Sequence, residues 1–249
     1  MTSSYERHIR LNGAHNVRDL GGYATASGGT TRWRSFLRAD ALHELSAEDI
    51  ETLLALGLRT VIDLRSDAEI AWQPSAFVVH ERVRYHHIPL FDGLAPVDAM
   101  LAEKGGFDLS ARYVDAVERC RPAIIRVAET IADAQEGIVL FNCTAGKDRT
   151  GIVAAMLLSL AGVGDDEIAS DYALTASIAA ALMERLKAKA LARGLDETVS
   201  ARLLSSEPAS MLAFLRHMEE RHGGFHTYLG GGAAEADNIR LIGKRMLAE

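Results

Sequence analysis

Apolar positions fall along this chain in short unbroken blocks and in longer helical stripes. Residues 138–141 are consecutively apolar (Ile-Val-Leu-Phe), the pattern of a strand buried on both faces. A polar loop, 143–149, follows. Residues 150–160 are then apolar almost all round, which predicts a helix sunk in the core. Residues 58–64 predict a second buried strand, and residues 84–92 a third that ends at Asp92. Ser46, with Asp49 three positions on and an apolar face behind it, opens a helix that runs to about Leu56 and stops at Gly57. Residues 109–134 predict a helix or a pair of helices interrupted at Pro122. Gly162 and Gly164 end the buried helix, and residues 165–193 and 195–222 are strongly helical, with Pro208 inside the second stretch. A glycine-rich region at 223–232 reads as a flexible turn before a last helix at 233–247. Near the start, Gly21-Gly22 and Gly28-Gly29 punctuate short runs that read as strands of a hairpin. Strands interleaved with helices place the chain in the α/β class.

Residues 92–109 have no clear period and are rich in Gly, Pro and Asp. They read as a mobile loop with one short helical turn, the kind of segment that carries function.

The strand, loop and helix start around residue 143 make a cradle of backbone N–H groups backed by the positive end of a helix dipole. Such a cradle holds a tetrahedral oxyanion. Cys143 opens the loop and Arg149 closes it. A thiol among N–H donors, a helix N-terminus and a guanidinium ionises readily, and Arg149 offers a planar fork for two phosphate oxygens. The backbone from Thr144 through Ala145, Gly146, Lys147, Asp148 and Arg149 is the expected phosphate cradle, with Gly146 allowing close approach. Thr150 is placed to hydrogen-bond the thiolate. Two carboxylates compete for the role of general acid. Asp148 is inside the loop, and Asp92 opens the flexible segment after a strand.

Cys143-(x)5-Arg149-Thr150, with Gly146 inside, resembles the phosphate-binding loop of the cysteine-dependent protein tyrosine phosphatase superfamily. The string CTAGKDRTG is similar to that of the bacterial atypical tyrosine phosphatases, which also act on phosphoserine, phosphothreonine and phosphoinositides. NVRDLGGY at 16–23, WRSFLRAD at 33–40, VIDLRSDAEI at 61–70 and DYALT at 171–175 extend the resemblance over most of the chain. The resemblance implies a central mixed sheet flanked by helices in a single domain spanning 1–249, with a helical lid at about 165–222. It implies hydrolysis of phosphate monoesters through a phosphocysteine intermediate, with Asp92 as acid and Asp148 tuning Arg149 and the loop. It also implies that the segment around Arg18 and Asp19 buttresses the loop, against a bland reading as a surface ion pair. Lys147, as a second cation in the loop, resembles enzymes that accept phosphoinositides as well as phosphoproteins. One departure stands out: where the family carries His before the cysteine, this chain has Asn142, so the thiolate loses one supporting group. A second reading is therefore a phosphate- or phosphoprotein-binding module of the same fold with impaired catalysis.

Composition narrows the setting. A net charge of −7 argues against nucleic acid or an anionic membrane surface as partner. Two cysteines, Cys120 and Cys143, make no disulfide framework and suit a reducing compartment, with Cys120 expected to be a buried core residue. No signal-peptide core and no run of eighteen apolar residues occurs. The expectation is a soluble cytoplasmic protein, secretion without a cleaved signal being left open. No expectation of oligomeric state arises. Asp63 and Arg65, at a strand end, read as a structural ion pair with Arg65 anchoring a loop. His86 and His87 point to opposite faces of a strand, and His217, His222 and His226 lack a zinc spacing. No metal or other cofactor is expected. A nucleotide-binding P-loop fails, because Phe141 stands where glycine is required and Asp148 where Ser or Thr is.

Overall fold

The computed structural model describes residues 5–92 and 108–248. Its sheet is built from β1 (Arg18–Asp19), β2 (Phe36–Ala39), β3 (Leu58–Asp63), β4 (Arg84–His87) and β5 (Ile138–Asn142). The strand order is β1-β2-β5-β3-β4. β1 is antiparallel to β2, and the remaining neighbours are parallel, so the sheet is mixed. β5 lies at its centre with every residue buried.

Side chains alternate between two cores, as the pleat requires. Val139 and Phe141 of β5 join the larger core, while Ile138 and Leu140 join the smaller one on the other face. The smaller core is closed by Leu53 and Leu54 of α1 (Ala47–Leu56) with Ile9, Val17 and Phe77. Helix α1 starts where its capping box places it: the Asp49 amide donates to Ser46 Oγ at 3.1 Å and the Ser46 amide to Asp49 Oδ2 at 3.0 Å. It stops at Gly57, whose φ of 105° is the left-handed conformation glycine accepts without strain.

The larger core packs α3 (Leu109–Arg119), α4 (Arg121–Ala132) and α5 (Asp148–Leu160) against the sheet. Pro122 splits the expected helix into α3 and α4 at Cys120, which is buried as expected. The same core takes in α6 (Asp165–Ile178), α9 (Pro208–His222), α10 (Gly224–Leu229) and α11 (Ala233–Met246).

Several elements depart from the expectations. α2 (Asp67–Trp72) is an unanticipated helix. β4 ends at His87 rather than Asp92, because Pro89 has no N–H for the ladder. The chain nevertheless stays beside β3, with the amides of Ile88 and Leu90 donating to Asp63 and Leu64 carbonyls. The expected turn at 223–232 contains α10, which buries Phe225, Tyr228 and Leu229. The expected lid at 165–222 is not one unit. α6 and α9 are core helices, whereas α7 (Ala180–Ala192) and α8 (Glu197–Leu204) bury one side chain each, Leu182 and Ser200. The loop expected at 92–109 lies, for residues 93–107, outside the described residues. Among the described residues no helix is long and apolar enough to cross a membrane.

Candidate active site

β5 delivers Cys143 to the carboxyl end of the central parallel strands, where open α/β sheets place their ligands. Cys143 is 2% exposed and sits at the edge of the larger core. The chain turns through Gly146, whose φ is +65°; a Cβ there would lie 2.7 Å from backbone atoms of Ala39 and Asp40. Only glycine satisfies both constraints. Lys147 then leads into α5, whose first-turn amides have no intrahelical partner.

Side chains from distant segments hold the loop from outside by its carbonyls. Asn16 Nδ2 donates to the carbonyls of Ala145 at 2.8 Å and Gly146 at 3.2 Å. Arg38 Nη2 donates to the Gly146 carbonyl at 2.9 Å. Among the described residues, no backbone N–H from 144 to 149 donates to a protein acceptor, so these donors stay available to an oxyanion. The buttress implied for the segment around Arg18 is thus made by Asn16 and Arg38, with Arg18 behind them.

Asp171 of α6 ties that frame together. Its Oδ1 accepts from Arg18 Nε at 3.1 Å and from the Tyr23 hydroxyl at 2.9 Å. Its Oδ2 accepts from Arg38 Nη1 at 2.5 Å. Arg18, Arg38 and Asp171 are all buried. Burial works to raise the Asp171 carboxyl, yet Arg18 and Arg38 hold it well below the usual carboxylate range. Asp19 instead pairs with Arg34 at 3.2 Å.

At the mouth, Arg149 is gripped by Glu69 of α2. Nη1 lies 2.6 Å from Oε2 and Nη2 lies 2.8 Å from Oε1. Nη2 also donates to Thr144 Oγ1 at 3.1 Å, and Thr144 Oγ1 donates to Glu69 Oε1. Glu69 is simultaneously the capping-box residue of α2, its Oε2 accepting from the Ser66 amide at 2.8 Å. Burial works against the Glu69 anion, but Arg149, Thr144 and the Ser66 amide keep its carboxyl well below the usual range. α2 is held in turn by a buried Asp63–Arg65 pair. Arg65 Nη2 lies 2.7 Å from Asp63 Oδ2, and Nη1 donates to the Gln73 carbonyl at 2.9 Å.

The remaining candidates divide. Asp148 Oδ1 accepts from the Tyr113 hydroxyl at 2.6 Å and from Lys147 Nζ at 2.7 Å. Burial and Asp148 keep Tyr113 a phenol, a permanent donor. Lys147 is fully buried, and Nζ also donates to the carbonyls of Leu203 at 3.0 Å and Ser205 at 2.9 Å. An ammonium has three donors, and all three are engaged, so the structure directs this charge away from the cradle and onto the C-terminal end of α8. Thr150 Oγ1 is buried without a hydrogen-bond partner, so the expected bond to Cys143 is not made. The Asn142 amide is buried with both its nitrogen and oxygen unpartnered. Asp92 is exposed. Its neighbour Phe91 places its ring 5.7 Å from the Arg149 guanidinium carbon, and Arg112 lies 5.2 Å from the same ring.

The profile described as the tyrosine phosphatase family matches residues 9–248 of this chain. The chain belongs to the tyrosine phosphatase family. Among relatives, a tyrosine-protein phosphatase of Nostoc commune is 40% identical over 143 residues, 57% of this chain and 48% of that one. The chain therefore spans about half the length of that relative. A protein of Cupriavidus necator, provisionally named a tyrosine-protein phosphatase, is 32% identical over 92% of this chain and 84% of its own length. The triple specificity protein phosphatase PtpB of Mycobacterium tuberculosis is 32% identical over 65% of this chain and 67% of its own.

As a tyrosine phosphatase family member, the chain carries two parts of its loop machinery that its spacing motifs did not expose. Glu69 had a readable signal, since Ser66-Asp-Ala-Glu69 is the same capping pattern that located α1. Tyr113 had none, being brought to Asp148 only by the packing of α3.

Proposed function

We propose that this chain hydrolyses phosphotyrosine through a phosphocysteine intermediate. The observation that carries the reading is the loop itself. Cys143 stands at its base, its carbonyls are tied outward by Asn16 and Arg38, and Arg149 is folded back onto Thr144. In the first step the Cys143 thiolate attacks phosphorus and the bond to the leaving oxygen breaks, that oxygen taking a proton from Asp92. The loop amides hold the three equatorial oxygens as charge spreads over them, joined by Arg149 as its terminal nitrogens turn from Glu69 and Thr144 to the phosphate. In the second step water attacks the phosphocysteine, gives its proton to Asp92, and releases phosphate and thiolate.

Asp92 is assigned as the acid because it adjoins Phe91, which packs beside Arg149. Asp148 has Oδ1 occupied by Tyr113 and Lys147, a tie that suits holding the loop to α3 rather than passing protons. Phosphoserine, phosphothreonine and phosphoinositides belong to the proposed range; the Mycobacterium relative's name, a triple specificity protein phosphatase, supports a range wider than one substrate. The proposed setting is cytoplasmic, with the whole chain as one catalytic domain and α7–α8 as its cover.

The alternative, a phosphoprotein-binding module with impaired turnover, is favoured by one observation, the unpartnered Asn142 amide beneath the nucleophile. Steady-state hydrolysis of an aryl phosphate separates the two. The proposed function requires turnover that Cys143→Ser abolishes while vanadate binding survives. Binding of phosphopeptide without turnover in the parent establishes the alternative. Near-parental activity in Cys143→Ser overturns the phosphocysteine mechanism.

A further inference from the structure

Away from the phosphate loop, the fold brings together three side chains that their spacing along the chain does not connect. His217 and His222 lie at the end of α9 and Glu118 lies at the end of α3, 99 and 104 residues away. Both imidazoles aim Nε2 at one carboxylate oxygen: His217 Nε2 is 3.0 Å and His222 Nε2 is 2.9 Å from Glu118 Oε1. The three ligand-capable atoms lie within 4.8 Å of one another. The side chains are partly exposed, at 28%, 20% and 39% for His217, His222 and Glu118, so solvent reaches the cluster.

We propose that Glu118, His217 and His222 form a binding site for a divalent transition-metal ion. Two imidazole nitrogens and one carboxylate oxygen are the donor set that zinc, cobalt and nickel prefer, whereas calcium and magnesium prefer oxygen alone. The two nitrogen–oxygen spacings are already close to what coordination requires. Ligands about 2.0–2.1 Å from one ion at right angles are separated by about 3.0 Å, and a modest spread of the two rings gives the tetrahedral value. Without metal, Nε2 of each ring carries the proton shared with Glu118; on binding, Nε2 becomes the ligand atom and the ring proton sits on Nδ1. The His222 ring is held by Tyr228, centroid to centroid 5.1 Å, and the Tyr228 hydroxyl donates to the Val117 carbonyl at 2.7 Å. One ring of the site is thus positioned before an ion arrives, and solvent fills the open coordination positions. Because the ligands come from two helices, the ion staples α3 to α9. α3 is also the helix whose Tyr113 donates to Asp148 in the loop.

The test uses the full chain carrying Cys143→Ser, so that the loop thiolate is not a competing ligand. Titration with Zn2+ and Co2+ is followed by calorimetry, by the visible spectrum of bound cobalt and by thermal melting. One equivalent is expected to bind, with an upward shift in Tm, a cobalt spectrum free of thiolate charge-transfer bands, and slower hydrogen exchange in α3. His217→Ala and His222→Ala should each weaken binding by at least about tenfold, since loss of even an outer-sphere partner costs that much. If an alanine variant melts abnormally before metal is added, His217→Gln and His222→Gln preserve volume and hydrogen bonding and must give the same loss. Absence of binding at millimolar Zn2+, or undiminished affinity in the variant lacking both histidines, overturns the site.

Discussion

The carboxylate of Glu69 meets the guanidinium of Arg149 fork to fork, Oε2 to Nη1 at 2.6 Å and Oε1 to Nη2 at 2.8 Å. The same carboxylate caps its own helix through the Ser66 amide, so it is fixed from both sides. A carboxylate anchored in this way fixes the position of the arginine, and substrate oxygens must share the guanidinium's terminal nitrogens with it or displace it. Glu69→Gln keeps the cap acceptor but removes the charge-assisted fork. It is expected to lower kcat/KM by roughly ten- to a hundredfold, the scale of a small misplacement of a catalytic group. Vanadate should still bind, and Glu69→Asp should recover little because the shorter side chain cannot reach. A Glu69→Gln variant with higher kcat/KM would instead make Glu69 a plug.

Asp171 stands between two buried arginines, and Asp171→Asn leaves both uncompensated. The expected loss is about 3–5 kcal/mol of stability at neutral pH. Its carboxyl lies below the ordinary value of 3.8 in the folded chain, so the stabilisation is complete above that value and is lost as pH falls through the folded one. Urea midpoints of parent and variant should be far apart at pH 7 and converge on strong acidification. A gap that stays constant with pH would mean that the carboxylate charge is not what matters.

For Lys147, the expected effect falls on the cover rather than on substrate choice. Lys147→Met takes the ammonium from the Leu203 carbonyl and leaves the Ser205 carbonyl with only the Tyr172 hydroxyl at 3.4 Å, and should cost roughly 1–3 kcal/mol. Limited proteolysis should then cut faster between α7 and α9. The ratio of kcat/KM for a phosphoinositide to that for a phosphopeptide should stay put, because all three ammonium donors are engaged by protein acceptors. A selective loss of the lipid substrate would place the ammonium on substrate after all.

Proton transfer is tested by leaving-group dependence. Asp92→Asn should reduce turnover of alkyl or phenyl phosphates by about a hundredfold or more, barely affect activated aryl esters, and erase the basic limb of the pH profile. If Asp148→Asn gives that pattern while Asp92→Asn leaves it intact, the two aspartates exchange roles.

Asn142 buries an amide with neither end bonded to protein. Replacing it by Leu, which has the same branching and number of side-chain heavy atoms although it is larger, removes two uncompensated polar atoms and should raise unfolding stability by about 1–2 kcal/mol. Lower turnover in that stabilised variant would show that the amide is kept for catalysis. An unchanged or lower melting temperature would mean that the amide has a partner in solution.

The phosphate loop was readable because it is local: strand, glycine turn and helix start are written in consecutive residues, and Cys143 and Arg149 are fixed by a spacing. α1 was readable for the same reason, through Ser46 and Asp49. What escaped is long-range. Glu69 reaches Arg149 across 80 residues, and Tyr113 reaches Asp148 across 35. Position and resemblance both put Lys147 in the cradle, and only packing shows that its charge turns toward Leu203 and Ser205. The extent of β4 was overestimated because an apolar run continues past Pro89, while the missing amide ends the ladder. The proposed metal site was invisible to spacing rules for the same reason as the Glu69–Arg149 pair, since its third ligand comes from another helix.

The outward ties on the loop also set when this protein can become competent during folding. Asn16 and the Ala145 carbonyl are 129 residues apart, Arg38 and the Gly146 carbonyl 108, and Arg18 and Asp171 153. Contacts of such separation carry the largest closure entropy and form only once most of the chain is in place. The cradle is therefore assembled at the end of folding, when the segment around Asn16 to Arg38 docks onto residues 145–171. Phosphate binding should return during refolding no earlier than the last tertiary signal. A fragment holding the loop, β5 and α5 but lacking the segment around Asn16 and Arg18 would carry Cys143 without the frame that holds the loop carbonyls.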